Sequence, residues 1–319
     1  MTAMTRLLAI LVAFAVIDVP AAAADTVANI VERARLDIQP AGRAFKQITI
    51  ENALGDVIIE GYDGTAIQIE TRKQAPDEEA LERLRISLVP NPDGTVRITT
   101  TADRDRENKP LARGSVRIDL KVRAPRDVRI EAASSAGTLA ISNMDAGGDL
   151  DTASGRINVK NVSGELSTHS VSGPTSIAQV FGSVDSQTLS SDLDLDSITG
   201  DRLIASVNHG TIAGRRVRSR DIQLTTNDGK IVLEAETGLR GRIVVASLKG
   251  DIDVRLRRQS TAVLIRARGA KVNLGVSAQA QPDGWTSATL GQAVNGALPA
   301  FVELRSRHGN VKFNLLDRE

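Results

Sequence analysis

A glycine followed by alternating apolar residues returns about every 18 residues along the second half of this chain, and that recurrence limits the fold more than any other feature. The unit Gly-x-apolar-x-apolar reads Gly137, Leu139, Ile141; Gly155, Ile157, Val159; Gly229, Ile231, Leu233; Gly250, Ile252, Val254; and Gly309, Val311, Phe313. Weaker copies stand at Gly173 with Ile177, Ser191 with Leu193 and Leu195, and Gly210 with Ile212. The leading positions thus run 137, 155, 173 and 191 in equal steps, and the next two, 210 and 229, each come one position later than that step. Between these units runs a second series of apolar pairs, including Gly148 with Leu150, Gly164 with Leu166, Gly182 with Val184 and Gly241 with Ile243 and Val245.

Each repeat therefore holds two short strands whose period-two alternation turns the apolar positions to one face. The expected fold is all-β: a β-solenoid, or parallel β-helix-like stack, with about 18 residues per coil over residues 131–319. A β-sandwich is the alternative, since it also has many short strands and turns, although it does not call for one glycine-anchored unit repeated. Glycine preceded by Ser or Asp, as in Ser154-Gly155, Ser163-Gly164 and Asp228-Gly229, fits corners that need positive φ. Aromatic residues make up only 2% of the 319 residues, as suits a thin seam in which Val, Ile, Leu and Ala stack on copies of themselves.

Residues 25–130 follow a less regular strand grammar, with Ile48 and Ile50, Val57 and Ile59, Ile67 and Ile69, Val96 and Ile98, Val116 to Val122, and Val128 and Ile130. A short helix is expected from Asp77 to Leu84, after Pro76 and with Glu at its start. Residues 101–114 read as a charged loop. Residues 275–300, which hold the sole Trp285, read as a flap that interrupts the repeats. Open solenoid ends expose unpaired strand edges, so both irregular regions are candidate caps.

Residues 1–24 have the layout of an export signal: basic Arg6, an apolar run from Leu7 to Ile17, and Ala22 and Ala24 as the small residues of a cleavage site. The run is too short for a spanning helix, which needs about 20 apolar residues. Cleavage after Ala24 would leave a chain with no transmembrane segment, periplasmic or at the cell surface. With no cysteine, disulfides, thiolate metal sites and a Cys-linked lipid anchor are excluded, so the chain is not a lipoprotein.

The segment Ile48 to Ile69, ITIENALGDVIIEGYDGTAIQI, followed by S-x-x-G-x-I-x-V repeats, resembles a bacterial domain-of-unknown-function family described as putative adhesins with β-strand repeats. Asn52, Gly55, Asp56, Gly61 and Gly64 carry the most specific part of the resemblance. It implies an envelope-associated β-solenoid, and it transfers no catalytic residue.

Candidate chemistry is sparse. His169, His209 and His308 are the only histidines; the latter two each precede a repeat glycine and are read as turn residues several coils apart. Asp192, Asp194 and Asp196 alternate with Leu193 and Leu195, so their carboxylates diverge from one strand face instead of converging on a cation. No nucleophile elbow is present, and no cofactor is expected.

Charge is unevenly spread. Residues 131–200 hold nine acids and two bases, net −7, whereas residues 201–319 hold eleven acids and nineteen bases, net +8. Arg215, Arg216, Arg218 and Arg220 form a compact cluster, joined by Arg255, Arg257, Arg258, Arg266 and Arg268. If coils stack in sequence order, the charges separate along the stack. The expected function is that of an exported, non-enzymatic envelope scaffold or binding module, with the Arg215–Arg220 cluster meeting an anionic envelope polymer or surface, or another copy of the protein. Nucleic acid is not an expected partner, because the aromatic stacking residues of single-strand binders are missing. A carbohydrate-active β-helix enzyme is the alternative.

Overall fold

The computed structural model describes residues 11–13, 29–40, 42–104, 115–237, 240–257, 262–292 and 298–316. Of these residues, 67% lie in strands and 2% in helix, so the fold is all-β. The chain divides into two compact units, one ending at Asn158 and the other beginning at Val159.

The first unit is built on two strand ladders. In one, Gln47–Asn52 lies between Thr95–Ala102 and Arg129–Ser134, parallel to both, and Gly148–Thr152 continues the ladder beyond Arg129–Ser134. Leu84–Pro90 closes its far edge by pairing antiparallel with Thr95–Ala102. In the other, Val57–Tyr62 lies between Arg117–Pro125 and Thr138–Met144, again parallel to both, while Ile67–Ala75 and Ile30–Ile38 add antiparallel strands on the Arg117–Pro125 side. The strand grammar of the sequence is thus present, but its order in space is not the order of the chain. Strands 47–52 and 57–62 lie inside their ladders, with 95–102 and 84–90 outside the first and 117–125, 67–75 and 30–38 outside the second.

The helix is Glu78–Glu82. Asp77 caps it, its carboxylate accepting from the Ala80 amide at 2.7 Å, and Glu78 and Glu79 sit favourably at the positive end of the helix dipole. Of the expected export signal, the described residues include only Leu11–Ala13, a three-residue strand antiparallel to Arg35–Asp37. The charged loop falls outside the described residues from 105 to 114.

In the second unit every repeat pairs in parallel with the next. Leu166 faces Val184 and Thr175 faces Leu193, an offset of 18; Val184 faces Leu203, Leu193 faces Ile212 and Ile212 faces Ile231, an offset of 19. Ile222 faces Ile243 and Ile231 faces Ile252, an offset of 21. The offset then jumps to 59. Ala300–Ser306 pairs with Arg242–Ser247, and Val311–Leu316 with Ile252–Arg257. The later strands therefore enter between 242–257 and 263–273, because Val263–Arg268 and Val272–Asn273 pair with the far sides of 300–306 and 311–316. Sequence order is spatial order only as far as Arg257. The segment read as a flap supplies Gln279–Ala280 and Thr286–Leu290, and the latter covers the free edge of Val263–Arg268 in antiparallel pairing.

Alternation decides what is buried. Ile48, Ile50, Val57, Ile59, Ile231, Leu233, Ile252 and Val254 are at most 1% exposed, and burying each such side chain contributes about 1.5–3 kcal/mol. At Gly155 the physical reason differs from the one its turn sequence suggests. Gly155 is not at positive φ; a Cβ there would stand 2.0 Å from the Gly137 carbonyl oxygen. In the second unit a Cβ at Gly229 would lie 1.9 Å from the Gly210 oxygen, and one at Gly309 2.2 Å from that of Gly250. Stacked turns leave no room for a side chain. Gly164, at φ 94°, and Gly229, at φ 153°, are corners that do need positive φ.

The residue three before the glycine completes the turn. The hydroxyls of Thr152, Ser170, Ser247 and Ser306 accept from the amides of Gly155, Gly173, Gly250 and Gly309 at 2.7–3.1 Å, which accounts for the S-x-x-G spacing. A second device recurs with the same period: Asn143, Asn161, Gln179, Ser197 and Arg216, each one repeat after the last, all have φ between 50° and 58°. Each sits in a strand and bends it, and Gln179 and Ser197 drop out of the ladder between Ala178–Asp196 and Val180–Ile198.

Candidate functional site

The arginine cluster lies on the strand Ile212–Asp228, opposite Leu193–His209 on one side and Ile231–Ala235 on the other. One Arg215 nitrogen, Nη2, donates to both Asp194 oxygens at 2.9 Å; Arg216 pairs with Asp196 and donates to the Ser197 hydroxyl at 2.9 Å; Arg218 reaches Glu236 at 2.8 Å. Arg220 is exposed and has no ion pair with a described residue. The acids that read as a solvated strand face are therefore matched by arginines about one repeat later, and Asp192 accepts from the Thr211 amide at 2.7 Å. Exposed pairs of this kind contribute little to stability, roughly 0–1 kcal/mol each. Their guanidinium groups remain accessible, since the Arg215, Arg216 and Arg218 side chains are 52%, 57% and 61% exposed.

Of the other basic residues, Arg257 pairs with Glu234 at 2.9 Å, and Arg266 pairs with Glu303 and lies over the rings of both Trp285 and Phe301. Arg258 lies outside the described residues. His169, His209 and His308 are all exposed, and the described residues contain no group of three or more acids or histidines placed to hold a metal ion.

The residues that carry the family resemblance do architectural work. Asn52, 1% exposed, donates to the Ile118 oxygen at 2.9 Å and accepts from the Leu54 amide and the Thr100 hydroxyl. A Cβ at Gly55 would meet the Ile118 oxygen at 2.4 Å, and one at Gly61 the Asn143 oxygen at 1.9 Å. Asp56 accepts from the Thr138 amide at 2.6 Å and pairs with Arg117. None of them lines a cavity described here.

Two hollows stand out. In the first unit a groove of about 720 Å³ is lined by Leu36, Ile69, Leu81, Leu84, Ile86 and Leu88 beneath Glu32, Arg35, Lys73 and Arg85. In the second, a cavity of about 550 Å³ is lined by Ser247, Arg268, Gly269, Ala270, Trp285, Arg305, Ser306 and Arg307. Sequence reasoning missed the second cavity. It placed Trp285 in a flap and left Arg305 and Arg307 unremarked, because nothing local shows that strand 300–306 lies against 263–268.

No protein-family model and no curated protein matches the sequence. Among solved structures, a putative cell adhesion protein from Clostridium sporogenes is similar at 11% identity and TM-score 0.30, covering 90% of this chain and 100% of that one. A putative adhesin from Bacteroides fragilis is similar at 11% identity and TM-score 0.38, covering 88% and 97%. A putative lipid binding protein from Parabacteroides distasonis is similar at 10% identity and TM-score 0.34, also covering 88% and 97%. At these scores the likenesses carry no functional weight. No helix among the described residues is long and apolar enough to cross a membrane.

Proposed function

We propose that the chain is an exported, non-enzymatic binding module of the cell envelope, wound as a β-solenoid, whose basic surface at Arg215, Arg216, Arg218 and Arg220 meets an anionic envelope polymer or surface. The solenoid reading rests on the parallel pairing of each repeat with the next at a nearly constant offset and on the bend that recurs with the same period. The observation that carries the binding role is that the Arg215, Arg216 and Arg218 side chains, close together on one strand, stay more than half exposed while ion-paired, so an arriving anion can share their guanidinium groups with the carboxylates that hold them. Export rests on the amino-terminal layout from Arg6 to Ala24.

Two measurements test this reading. Mass determination of the mature protein is expected to give an amino terminus at Asp25, and recovery of intact Met1 chains in the cytoplasm would sink the export claim. Purified mature protein is expected to sediment with phosphatidylglycerol vesicles and not with phosphatidylcholine vesicles, with binding that falls as salt rises. Changing Arg215, Arg216, Arg218 and Arg220 together to Ser should abolish it at unchanged melting temperature. Equal sedimentation of variant and wild type removes the cluster from the function; salt-sensitive self-association without vesicle binding assigns it to a second copy instead.

A further inference from the structure

The structure assigns a second binding site, unrelated to the Arg215–Arg220 surface, to the cavity around Trp285: we infer that it takes a small acidic saccharide, a sugar ring carrying a carboxylate or phosphate. The argument begins with two neighbouring rungs of one ladder. On the parallel strands Val263–Arg268 and Ala300–Ser306, Arg266 stands opposite Glu303 and is ion-paired with it. Two residues further on, Arg268 stands directly opposite Arg305. Like charges in that relation destabilise a sheet. The rung before it is neutralised by an acid; this one is not.

Arg307, two residues past Arg305, is a third arginine lining the same cavity, and no carboxylate is among the lining residues. Among the described residues, none of Arg268, Arg305 and Arg307 has an ion-pair partner, unlike Arg215, Arg216, Arg218, Arg257 and Arg266. The nearest acid in sequence to Trp285 is Asp283, whose carboxylate accepts from the Trp285 amide at 3.2 Å within its own turn. Three exposed arginines that line one hollow without an ion-pair partner among the described residues make a site for an anion, which a guanidinium can bind with two parallel hydrogen bonds.

The rest of the cavity says what kind of anion. About 550 Å³ is far more than a bare phosphate or carboxylate fills, and lies within the usual range of small-molecule sites. Its remaining walls are an indole, two small residues, Gly269 and Ala270, and the serines Ser247 and Ser306. No long aliphatic side chain is among them, which disfavours an acyl chain. The Trp285 ring is held in place by Arg266, whose guanidinium carbon lies 4.7 Å from the ring centre. A fixed flat ring beside anion-binding groups matches an amphipathic sugar ring with an acidic substituent.

Trp285 is the only tryptophan in the chain, so its fluorescence reports on this cavity alone. Titration of the full mature protein with digalacturonate should give a saturable change in that emission, confirmed by calorimetry, while neutral galactobiose should bind at least about tenfold more weakly, the loss expected for one charge-assisted contact. The double variant Arg268→Gln with Arg305→Gln should lose at least about tenfold in affinity. Its melting temperature should be unchanged or raised, because the like-charged rung is relieved. Arg307→Gln, beyond the strand end, should weaken binding without touching the ladder. The proposal is overturned if galactobiose binds as tightly as digalacturonate, if inorganic phosphate alone competes with equal affinity, if neither probe gives heat or fluorescence change, or if both variants bind like wild type. The vesicle result for the Arg215–Arg220 surface has no bearing on any of these outcomes.

Discussion

A Cβ atom at Gly250 would lie 1.6 Å from the carbonyl oxygen of Gly229, the glycine one repeat earlier. Gly250 is not at positive φ, so alanine is excluded there chiefly by the neighbouring backbone. Gly250→Ala should cost about 3 kcal/mol, at the upper end of overpacking penalties, because neither turn can move without disturbing its own ladder. Chemical denaturation measures it, and a midpoint equal to wild type would show that the turns are not stacked this closely.

The register around the same kind of turn is tested at Ile157, which is fully buried, and Asn158, which is partly exposed. Ile157→Asp should cost roughly 3 kcal/mol or more by burying an unpaired charge, while Asn158→Asp should stay within about 0.5 kcal/mol. Similar losses of melting temperature in both would place the alternation one residue out.

The left-handed bends make a paired prediction. Gln179 has φ 57° and is exposed, and Asn161 has φ 54° at the equivalent place one repeat earlier. Asparagine tolerates this conformation better than other side chains with a Cβ, whose cost there is about 1–2 kcal/mol. Gln179→Asn should therefore raise stability and Asn161→Gln lower it, each by about 0.5–1 kcal/mol. Changes of the same sign in the two variants would contradict a conformational origin.

One ion pair gives a pH signature. A hydrogen bond from Arg126, at 2.8 Å, holds the Asp145 carboxyl below its ordinary range. A lowered folded-state value means that the pair stabilises the protein above the ordinary carboxylate pKa of about 3.9 and loses that contribution as pH falls through the folded value. Because Asp145 is half exposed, the effect should be under about 1 kcal/mol. Arg126→Gln should lower stability at neutral pH and converge on wild type in acid; a constant difference across the whole range would mean that Arg126 acts through packing.

What could be read from the sequence follows from how many residue types each job admits. Closely stacked turns favour glycine, so the column from Gly210 through Gly229 and Gly250 to Gly309 is visible as text, with Ser191 at the equivalent place one repeat before it. The bend is occupied by Asn, Asn, Gln, Ser and Arg, which share a backbone angle and no side chain, so its equally regular period is invisible there. The repeat length applied to charges sets Arg215 opposite Asp196 and Ala213 opposite Asp194, so it brings the acids and arginines to one neighbourhood, whereas the ion pairs themselves, Asp194 with Arg215 and Asp196 with Arg216, run diagonally to that register. The Trp285 cavity could not be read at all. Arg268 and Arg305 are distant in the chain, and they become neighbours only because strand 300–306 enters the ladder beside 263–268.

That insertion also sets an order of assembly. Val263–Arg268 and Val272–Asn273 have as parallel partners only strands made later, 300–306 and 311–316, so a chain emerging amino terminus first cannot dock them as they appear. They must wait, unpaired on that side, for about forty more residues, a delay set by the chain separation between paired strands. Loss of residues 300–316 would accordingly not shorten the second unit by its last layer; it would remove an internal one, stranding 263–273 and leaving the upper surface of 242–257 bare.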